Sequence, residues 1–205
     1  MPDGAQTSLI LASISRTRRA MLEAAGLEFA VVPSGVDERA VRETLLADNG
    51  PIDPADLAEL LARAKAEQVS RRNPEVLVIG ADQVLALESE VFDKPADLDT
   101  ARDTLVRLRG RTHQLHSAVA IAEAGNATWT CVDTAHMTMR RFSMEFLGQY
   151  LARAGAAVLE SVGAYQIEGV GIQLFERIEG DYFTVLGVPL LPLLQELRSR
   201  SIVVA

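Results

Sequence analysis

An aspartate at the end of a strongly apolar run is the first residue in this sequence that could do chemistry. Asp82 follows the apolar part of "PEVLVIGADQVLAL", a stretch that is typical of a central β-strand. A carboxylate just past the carboxyl end of such a strand lies where open α/β sheets bind ligands. There it could bind a metal ion or act as a general base on water. The alternative interpretation is a turn aspartate that caps the next segment.

Basic residues follow the first predicted strand. The segment "SISRTRR" (13–19) places Arg16, Arg18 and Arg19 beside two serines, at the start of a predicted helix. Backbone N–H groups at a helix start attract anions, and arginine side chains suit phosphate. The alternative is a solvated basic first turn. Neither a Walker A motif nor a Rossmann dinucleotide fingerprint is present in the sequence.

Three further charged features could complete such a site. Lys65 lies at the edge of the apolar stripe of a helix predicted over residues 54–73, where it either extends to solvent or points at a carboxylate. Lys94 precedes a proline, which favours an extended backbone in an ordinary surface loop. The acids of "VDE" (36–38) lie in a polar segment that is predicted to begin as loop. They could bind Mg²⁺ together with Asp82, or simply stabilise a helix start.

A glycine-rich segment, "GAYQIEGVG" (163–171), contains Tyr165 and Glu168. Its glycines would let a ligand approach the backbone closely, and the ring and carboxylate could contact a base. The alternative is a flexible loop before a strand. His113 and His116 are three residues apart in a predicted strand and so face opposite sides, which argues against a zinc site.

The predicted order of strand, helix and strand favours an α/β protein, and the length of 205 residues favours a single domain spanning residues 1–205. The chain is 48% hydrophobic and has a formal net charge of −8. That charge argues against nucleic acid or an anionic membrane as the main partner. No apolar run is long enough to span a membrane, and the N-terminus lacks the pattern of a signal peptide. The single Cys131 fits a reducing compartment, so we expect a cytoplasmic location.

Eight separated segments together resemble the Maf family of nucleoside triphosphate pyrophosphatases, over about residues 8 to 198. In chain order they are "LILASISRTRR", "VDE", "ARAKA", "IGADQVL", "DKP", "LRGRTH", "GAYQIEG" and "IEGDYFTVLGVPL". The resemblance implies the Maf/inosine-triphosphatase-like α/β fold, a mixed twisted sheet with flanking helices and two lobes around a cleft. It also suggests a homodimer.

The resemblance further implies hydrolysis of a nucleoside triphosphate to the monophosphate and pyrophosphate, with a divalent cation, Mg²⁺ or Mn²⁺, as cofactor. Residue by residue, it assigns Asp82 as the proton acceptor, with Glu38 and Lys65 also catalytic. It assigns the metal to Glu38 and Asp82, the triphosphate to Ser13, Arg18 and Lys94, and substrate specificity to Thr17, Gln83 and Glu168.

The predicted substrate is 7-methyl-GTP or a broad range of modified nucleotides, because Gln83 and Glu168 resemble the branch that acts on 7-methyl-GTP. A carboxylate suits both the donors of a guanine edge and the positive charge of a methylated guanine. Arg16 and Thr17 depart from that branch, and "GAYQIEG" looks more like the dTTP/UTP branch. The alternatives are therefore a dTTP/UTP pyrophosphatase and a non-catalytic cell-division regulatory protein.

Overall fold

The structure, a computed structural model, describes residues 9–49 and 52–204, which form two compact units. The first unit comprises the chain up to Gln83, Ser117–Asp133 and the chain from Asp181 onward. The second comprises Val84–His116 and Thr134–Gly180. Of the single domain predicted over 1–205, residues 1–8, 50–51 and 205 lie outside the described part.

Helices and strands alternate along much of the chain, as the α/β prediction requires. The strands are β1 (Leu9–Leu11), β2 (Ala30–Val31), β3 (Leu77–Leu87), β4 (Glu90–Phe92), β5 (Thr112–Glu123), β6 (Asn126–Met139) and β7 (Phe175–Glu179). The helices are α1 (Arg16–Ala24), α2 (Glu38–Asn49), α3 (Pro54–Ser70), α4 (Leu98–Leu108), α5 (Met144–Ala154), α6 (Tyr182–Val185) and α7 (Leu190–Ser199). Two 3₁₀ helices span Gly155–Glu160 and Val170–Leu174.

The first unit is built on a sheet whose strand order is β2-β1-β3-β5-β6. Strand β1 runs parallel to both its neighbours, with Ile10 opposite Ala30 and opposite Val78. Its side chains alternate between two hydrophobic clusters. Leu9 and Leu11 pack in a cluster that includes residues of α1 and α7, whereas Ile10 packs in another that includes Val69 of α3. Because both faces of β1 are covered, the strand reads as a continuous apolar run and not as an alternating one.

Strand β3 and helix α3 approach closely because Gly80 has no side chain. A methyl group at this position would overlap the carbonyl oxygen of Ala62 and the backbone nitrogen of Ala66. The backbone of the strand therefore packs directly on the helix. This contact fixes where the next residues of β3 lie relative to the middle of α3.

The second unit contains the remaining parts of β3, β5 and β6 together with β4 and β7. Strand β4 pairs antiparallel with the end of β3, and β7 pairs antiparallel with β6. Strand β1 thus pairs in parallel with β2 and β3, and the pairing at these two edges is antiparallel, which confirms the predicted mixed sheet with flanking helices. Helix α4 begins at the N-cap Asp97, whose carboxylate accepts a hydrogen bond from the backbone N–H of Thr100.

The segment that contains "VDE" begins outside any helix or strand, as predicted, and forms helix α2 from Glu38 onward. Its alanines, leucines and charged residues favour a helix, and Glu38 in the first turn suits the positive end of the helix dipole.

Among residues 9–49 and 52–204, no helix combines the length and apolar character that crossing a membrane would require.

Candidate functional site

Asp82 lies inside strand β3 and not past its end, so the predicted placement is wrong. The strand continues to Leu87 because the apolar residues after Asp82 pair with β4, with Leu85 opposite Phe92. The apolar run was correctly interpreted as a strand, but its end was placed too early. Asp82 is only 5% exposed, and a buried carboxylate is costly unless charged or hydrogen-bonding partners surround it.

Helix α3 supplies that partner. Lys65 lies one turn after Leu61, and its Nζ atom donates to Oδ1 of Asp82 in a buried ion pair. Lys65 itself is 6% exposed, so of the two alternatives for this lysine the structure has the one that faces a carboxylate. The close approach at Gly80 explains the pairing, since it brings the middle of α3 against β3 two residues before Asp82.

Glu38 contacts the same lysine. Its Oε1 atom lies 2.6 Å from Nζ of Lys65, and its side chain is 56% exposed. Two carboxylates from β3 and α2 therefore converge on one ammonium group. One of them is buried and the other is open to solvent, so a small ligand could reach the pair from the Glu38 side.

The charges around Asp82 act in opposite directions on its pKa. Burial raises the pKa of the Asp82 carboxyl above its ordinary value, and the nearby charges of Lys65 and Arg18 lower it. Burial is the larger effect, so the pKa is raised. A carboxylate with a raised pKa is a better proton acceptor near neutral pH than an ordinary aspartate.

Arg18 is held beside Asp82 by backbone carbonyl groups. Its Nε donates to the carbonyl oxygen of Gly187 over 3.0 Å, and its Nη1 donates to that of Ala81 over 2.9 Å. Burial lowers the pKa of Arg18, and the charges of Asp82 and Glu38 partly offset this. The guanidinium is therefore fixed next to the carboxylate, in an orientation set by main-chain atoms.

The serines of the β1–α1 connection organise the helix start. Ser15 is the N-cap of α1 and its hydroxyl accepts a hydrogen bond from the backbone N–H of Arg18. Ser13 is buried, and its Oγ accepts from the backbone N–H of Ser15 over 3.3 Å. Thr17, predicted to influence specificity, lies half-buried in the first turn.

Gln83 is bound within the protein. Its Nε2 donates to Oγ of Ser117 over 2.9 Å and to the carbonyl oxygens of Thr184 and Val185 over 3.1 and 3.0 Å. Ser117 Oγ in turn donates to the Thr184 carbonyl over 2.7 Å. Gln83 thus ties β3 to helix α6, the element just before Gly187, which accepts from Arg18.

The residues just described include several that sequence reasoning did not assign: Ser117, Thr184, Val185 and Gly187. The last three fall in "FTVLGV", part of a quoted family segment, but nothing in their types indicates a backbone acceptor for a distant arginine or glutamine. Ser117 is a small polar residue inside an apolar strand, which is the one local signal available.

Two predicted site residues belong to the second unit. Lys94 is exposed between β4 and α4, and Glu168 is exposed between the two 3₁₀ helices. The first unit alone brings together Ser13, Arg18, Glu38, Lys65, Asp82 and Gln83. Ion pairs and charge interactions within this unit connect Arg18, Glu38, Lys65 and Asp82, which lie on α1, α2, α3 and β3.

The convergence of Glu38 and Asp82 on one cation fits a divalent metal site. Carboxylate oxygens are the ligands that Mg²⁺ takes, and it is commonly bound by one or two carboxylates together with substrate phosphates. The lysine ammonium marks a position that both carboxylates reach. Within the described part of the chain, no group of three or more His, Cys, Asp or Glu side chains is arranged to hold a metal.

Comparison with known proteins shows the family. The chain matches the Maf-like protein family over residues 8–200, and it belongs to that family. It is 56% identical to a 7-methyl-GTP pyrophosphatase of Mesorhizobium japonicum, over 93% of this chain and 95% of that protein. It is 52% identical to a 7-methyl-GTP pyrophosphatase of Brucella abortus biovar 1, over 94% and 96%. A nucleoside triphosphate pyrophosphatase of Granulibacter bethesdensis is 51% identical, over 94% and 97%.

Proposed function

We propose that this protein is a nucleoside triphosphate pyrophosphatase that hydrolyses 7-methyl-GTP to 7-methyl-GMP and pyrophosphate. The observation that carries the proposal is the buried Asp82–Lys65 pair, with Glu38 on the same ammonium and Arg18 alongside. The names of the relatives support the reaction class, and those at 56% and 52% identity support the methylated guanine substrate.

In the proposed reaction Asp82 accepts a proton from a water molecule. The water oxygen forms a bond to the α-phosphorus, and the bond from that phosphorus to the oxygen bridging to the β-phosphorus breaks. Pyrophosphate leaves with the bridging oxygen. The raised pKa of Asp82 suits proton acceptance, and the position of its carboxyl is fixed by Lys65.

The cations of the first unit bind the phosphates. Arg18 contributes a guanidinium fixed by two backbone carbonyls, and the ammonium of Lys65 adds a second positive charge next to it. Glu38 and Asp82 would hold Mg²⁺ or Mn²⁺, which when bound neutralises phosphate charge and polarises water. Ser13 adds a hydroxyl next to the helix start. Lys94 keeps its predicted role of binding triphosphate.

Substrate selection is assigned to Thr17, Gln83 and Glu168. Glu168 is exposed, and a carboxylate there attracts the positive charge of 7-methylguanine and accepts from its N–H donors. Gln83 acts through the contacts that hold α6.

The proposal also includes a homodimer, suggested by the resemblance, and a cytoplasmic location, suggested by the single Cys131.

The test is pyrophosphate release from 7-methyl-GTP, GTP, UTP and dTTP with Mg²⁺, in the original protein and in Asp82→Asn. Loss of a general base costs on the order of 10²–10⁴-fold in rate, so we expect Asp82→Asn to lose activity to that extent. The matched control is Asp97→Asn, because asparagine also caps a helix and Asp97 is an exposed N-cap of α4.

Each outcome discriminates between functions. Preferential turnover of 7-methyl-GTP with loss in Asp82→Asn supports the proposal. Preferential turnover of UTP or dTTP would support the proposed reaction but contradict 7-methyl-GTP as the substrate. Orthophosphate as the product indicates a phosphatase instead. No product from any substrate favours the regulatory alternative, and undiminished activity of Asp82→Asn removes Asp82 from the reaction.

A further inference from the structure

We propose that Tyr165 and Tyr150 are positioning residues that hold Glu168 in one conformation and thereby set the base selectivity of the reaction. Both tyrosines anchor the segment 163–169, named here the Glu168 loop, within the second unit. The inference rests on the proposed function, because it concerns the selectivity of the same reaction. It assigns no chemical step to either tyrosine.

The first anchor is a buried hydrogen bond between two sequence motifs. The hydroxyl of Tyr165 lies 2.7 Å from Nε2 of His113, which stands in "LRGRTH" at the start of β5. The Tyr165 ring also packs edge-on against Phe175, with centroids 4.7 Å apart. It folds back over Gly163, where a methyl group would overlap the ring. The glycine is therefore needed for Tyr165 to reach His113.

The second anchor holds the backbone beside Tyr165. The hydroxyl of Tyr150, on α5, donates to the carbonyl oxygen of Ala164 over 2.9 Å. Ala164 has φ +58°, in the left-handed region that disfavours a residue with a Cβ atom. Because this backbone conformation is unfavourable in free energy for alanine, the surrounding contacts must impose it.

The chain makes a tight turn around Glu168. The backbone N–H of Gly169 donates to the carbonyl oxygen of Gln166 over 3.3 Å. A methyl group at Gly171 would lie 2.5 Å from the same oxygen, so the chain doubles back tightly on itself. Glu168 thus stands on an exposed tight turn that follows the buried and anchored residues Gly163, Ala164 and Tyr165.

His113 is an unusual choice if packing alone were needed. It is 1% exposed, and among the described residues its Nδ1 has no hydrogen-bond partner. A buried polar atom without a partner costs free energy that an apolar side chain of similar size would avoid. The imidazole is therefore explained by its hydrogen bond to Tyr165, which an apolar residue could not make. This makes the Glu168 loop a rigid support for a carboxylate, as a selective binding group requires.

The experiment compares kcat/KM for 7-methyl-GTP and UTP in the original protein and in Tyr165→Phe, which removes only the hydroxyl. We expect the ratio of the two values to fall several-fold, up to about tenfold, the range that one hydrogen bond supports. The loss should appear mainly in KM for 7-methyl-GTP, with kcat for UTP changed little. In a Glu168→Gln background, Tyr165→Phe should leave the ratio unchanged, because it acts through Glu168.

Tyr150→Phe is the second variant, and it should lower the same ratio by removing the other anchor. The control is Thr100→Val, which removes a 2.7 Å hydroxyl hydrogen bond to Asp97 at the exposed start of α4 in the second unit. It should keep the original ratio. A merely structural role would lower the melting temperature of Tyr165→Phe without changing the ratio, and that result would overturn the inference. A ratio of kcat/KM for 7-methyl-GTP to that for UTP near one in the original protein would also overturn it. Absence of pyrophosphate from the original protein would instead overturn the proposed function.

Discussion

Replacing Lys65 with methionine is expected to destabilise the protein strongly, because it leaves the Asp82 carboxylate buried without its ammonium partner. Both side chains are about 7% exposed, so water cannot readily replace the lost contact. Removing one member of a buried ion pair typically costs about 3–5 kcal/mol. We expect the lower end, about 3 kcal/mol, because Asp82 can take up a proton and Arg18 contributes a second positive charge.

Thermal unfolding measures this loss directly. For a protein of 150–250 residues, 1 kcal/mol corresponds to a shift of roughly 2–4 °C in melting temperature, so Lys65→Met should melt roughly 6–12 °C lower. The measurement is made with EDTA present. The control is Lys94→Met, since Lys94 is exposed and surface substitutions usually change stability by less than about 0.5 kcal/mol.

A double variant tests the reason for the loss. Adding Asp82→Asn to Lys65→Met removes the unpaired charge, so most of the stability should return. If Lys65→Met and Lys94→Met have the same melting temperature, the buried ion pair does not stabilise the fold as argued. If the double variant is no more stable than Lys65→Met alone, the loss comes from packing of the lysine stem and not from the stranded carboxylate.

Two further predictions follow from individual residues. Gly187 has φ +103°, and a methyl group there would lie 3.2 Å from Nε of Arg18. Gly187→Ala should therefore destabilise the folded protein by about 1–3 kcal/mol, measured by urea unfolding. It should also raise KM for the triphosphate, because it displaces Arg18. An unchanged KM would refute the role of this contact. Burial lowers the pKa of His113 to about 3. Because the unfolded chain binds a proton near pH 6.5 and the folded one does not, stability should fall with decreasing pH between 6.5 and 3, by up to about 1.4 kcal/mol per unit. The difference in free energy of unfolding between the original protein and His113→Gln should shrink over that range, and a constant difference would contradict the burial argument.

Helices and strands with a strong periodicity were predicted correctly from the sequence. The apolar stripe predicts a helix over residues 54–73, and α3 spans Pro54–Ser70. An initial Asp, a leucine stripe and a final Gly predict a helix over residues 97–110, and α4 spans Leu98–Leu108. The apolar runs on both sides of "EAGN" predict two strands joined by a turn, and β5 and β6 lie there. These elements are recognisable because burial on one face or between two layers imposes a repeat on the sequence.

The position of Asp82 within its strand was not predictable by the same reasoning. A charged residue inside an apolar run indicates a strand end when only local pattern is considered. The strand continues because Lys65, 17 positions away in sequence, compensates the charge, and because β4 pairs with the residues that follow. Compensation between distant residues leaves no local pattern, so the sequence showed the residue types of the site but not their pairing.

The partners of Arg18 show a second limit. Its guanidinium is oriented by the carbonyl oxygens of Ala81 and Gly187, the second of which is 169 positions away. Every residue has a carbonyl group, so its use as an acceptor has no sequence signature. Gly187 carries only an indirect signal, since its positive φ favours glycine.

The formal charges around Asp82 bear on what the site must still recruit. Arg18 and Lys65 carry one positive charge each, and Asp82 and Glu38 carry one negative charge each when ionised, so the cluster sums to zero. On a chain of net charge −8, a neutral cluster cannot by itself offset the several negative charges of a triphosphate. Protonation of Asp82 would make the net charge of the cluster more positive by one, but it would also remove the proton acceptor. A divalent cation held by the two carboxylates would add two positive charges and would keep Asp82 ionised, so the charge balance supports the metal dependence that we propose.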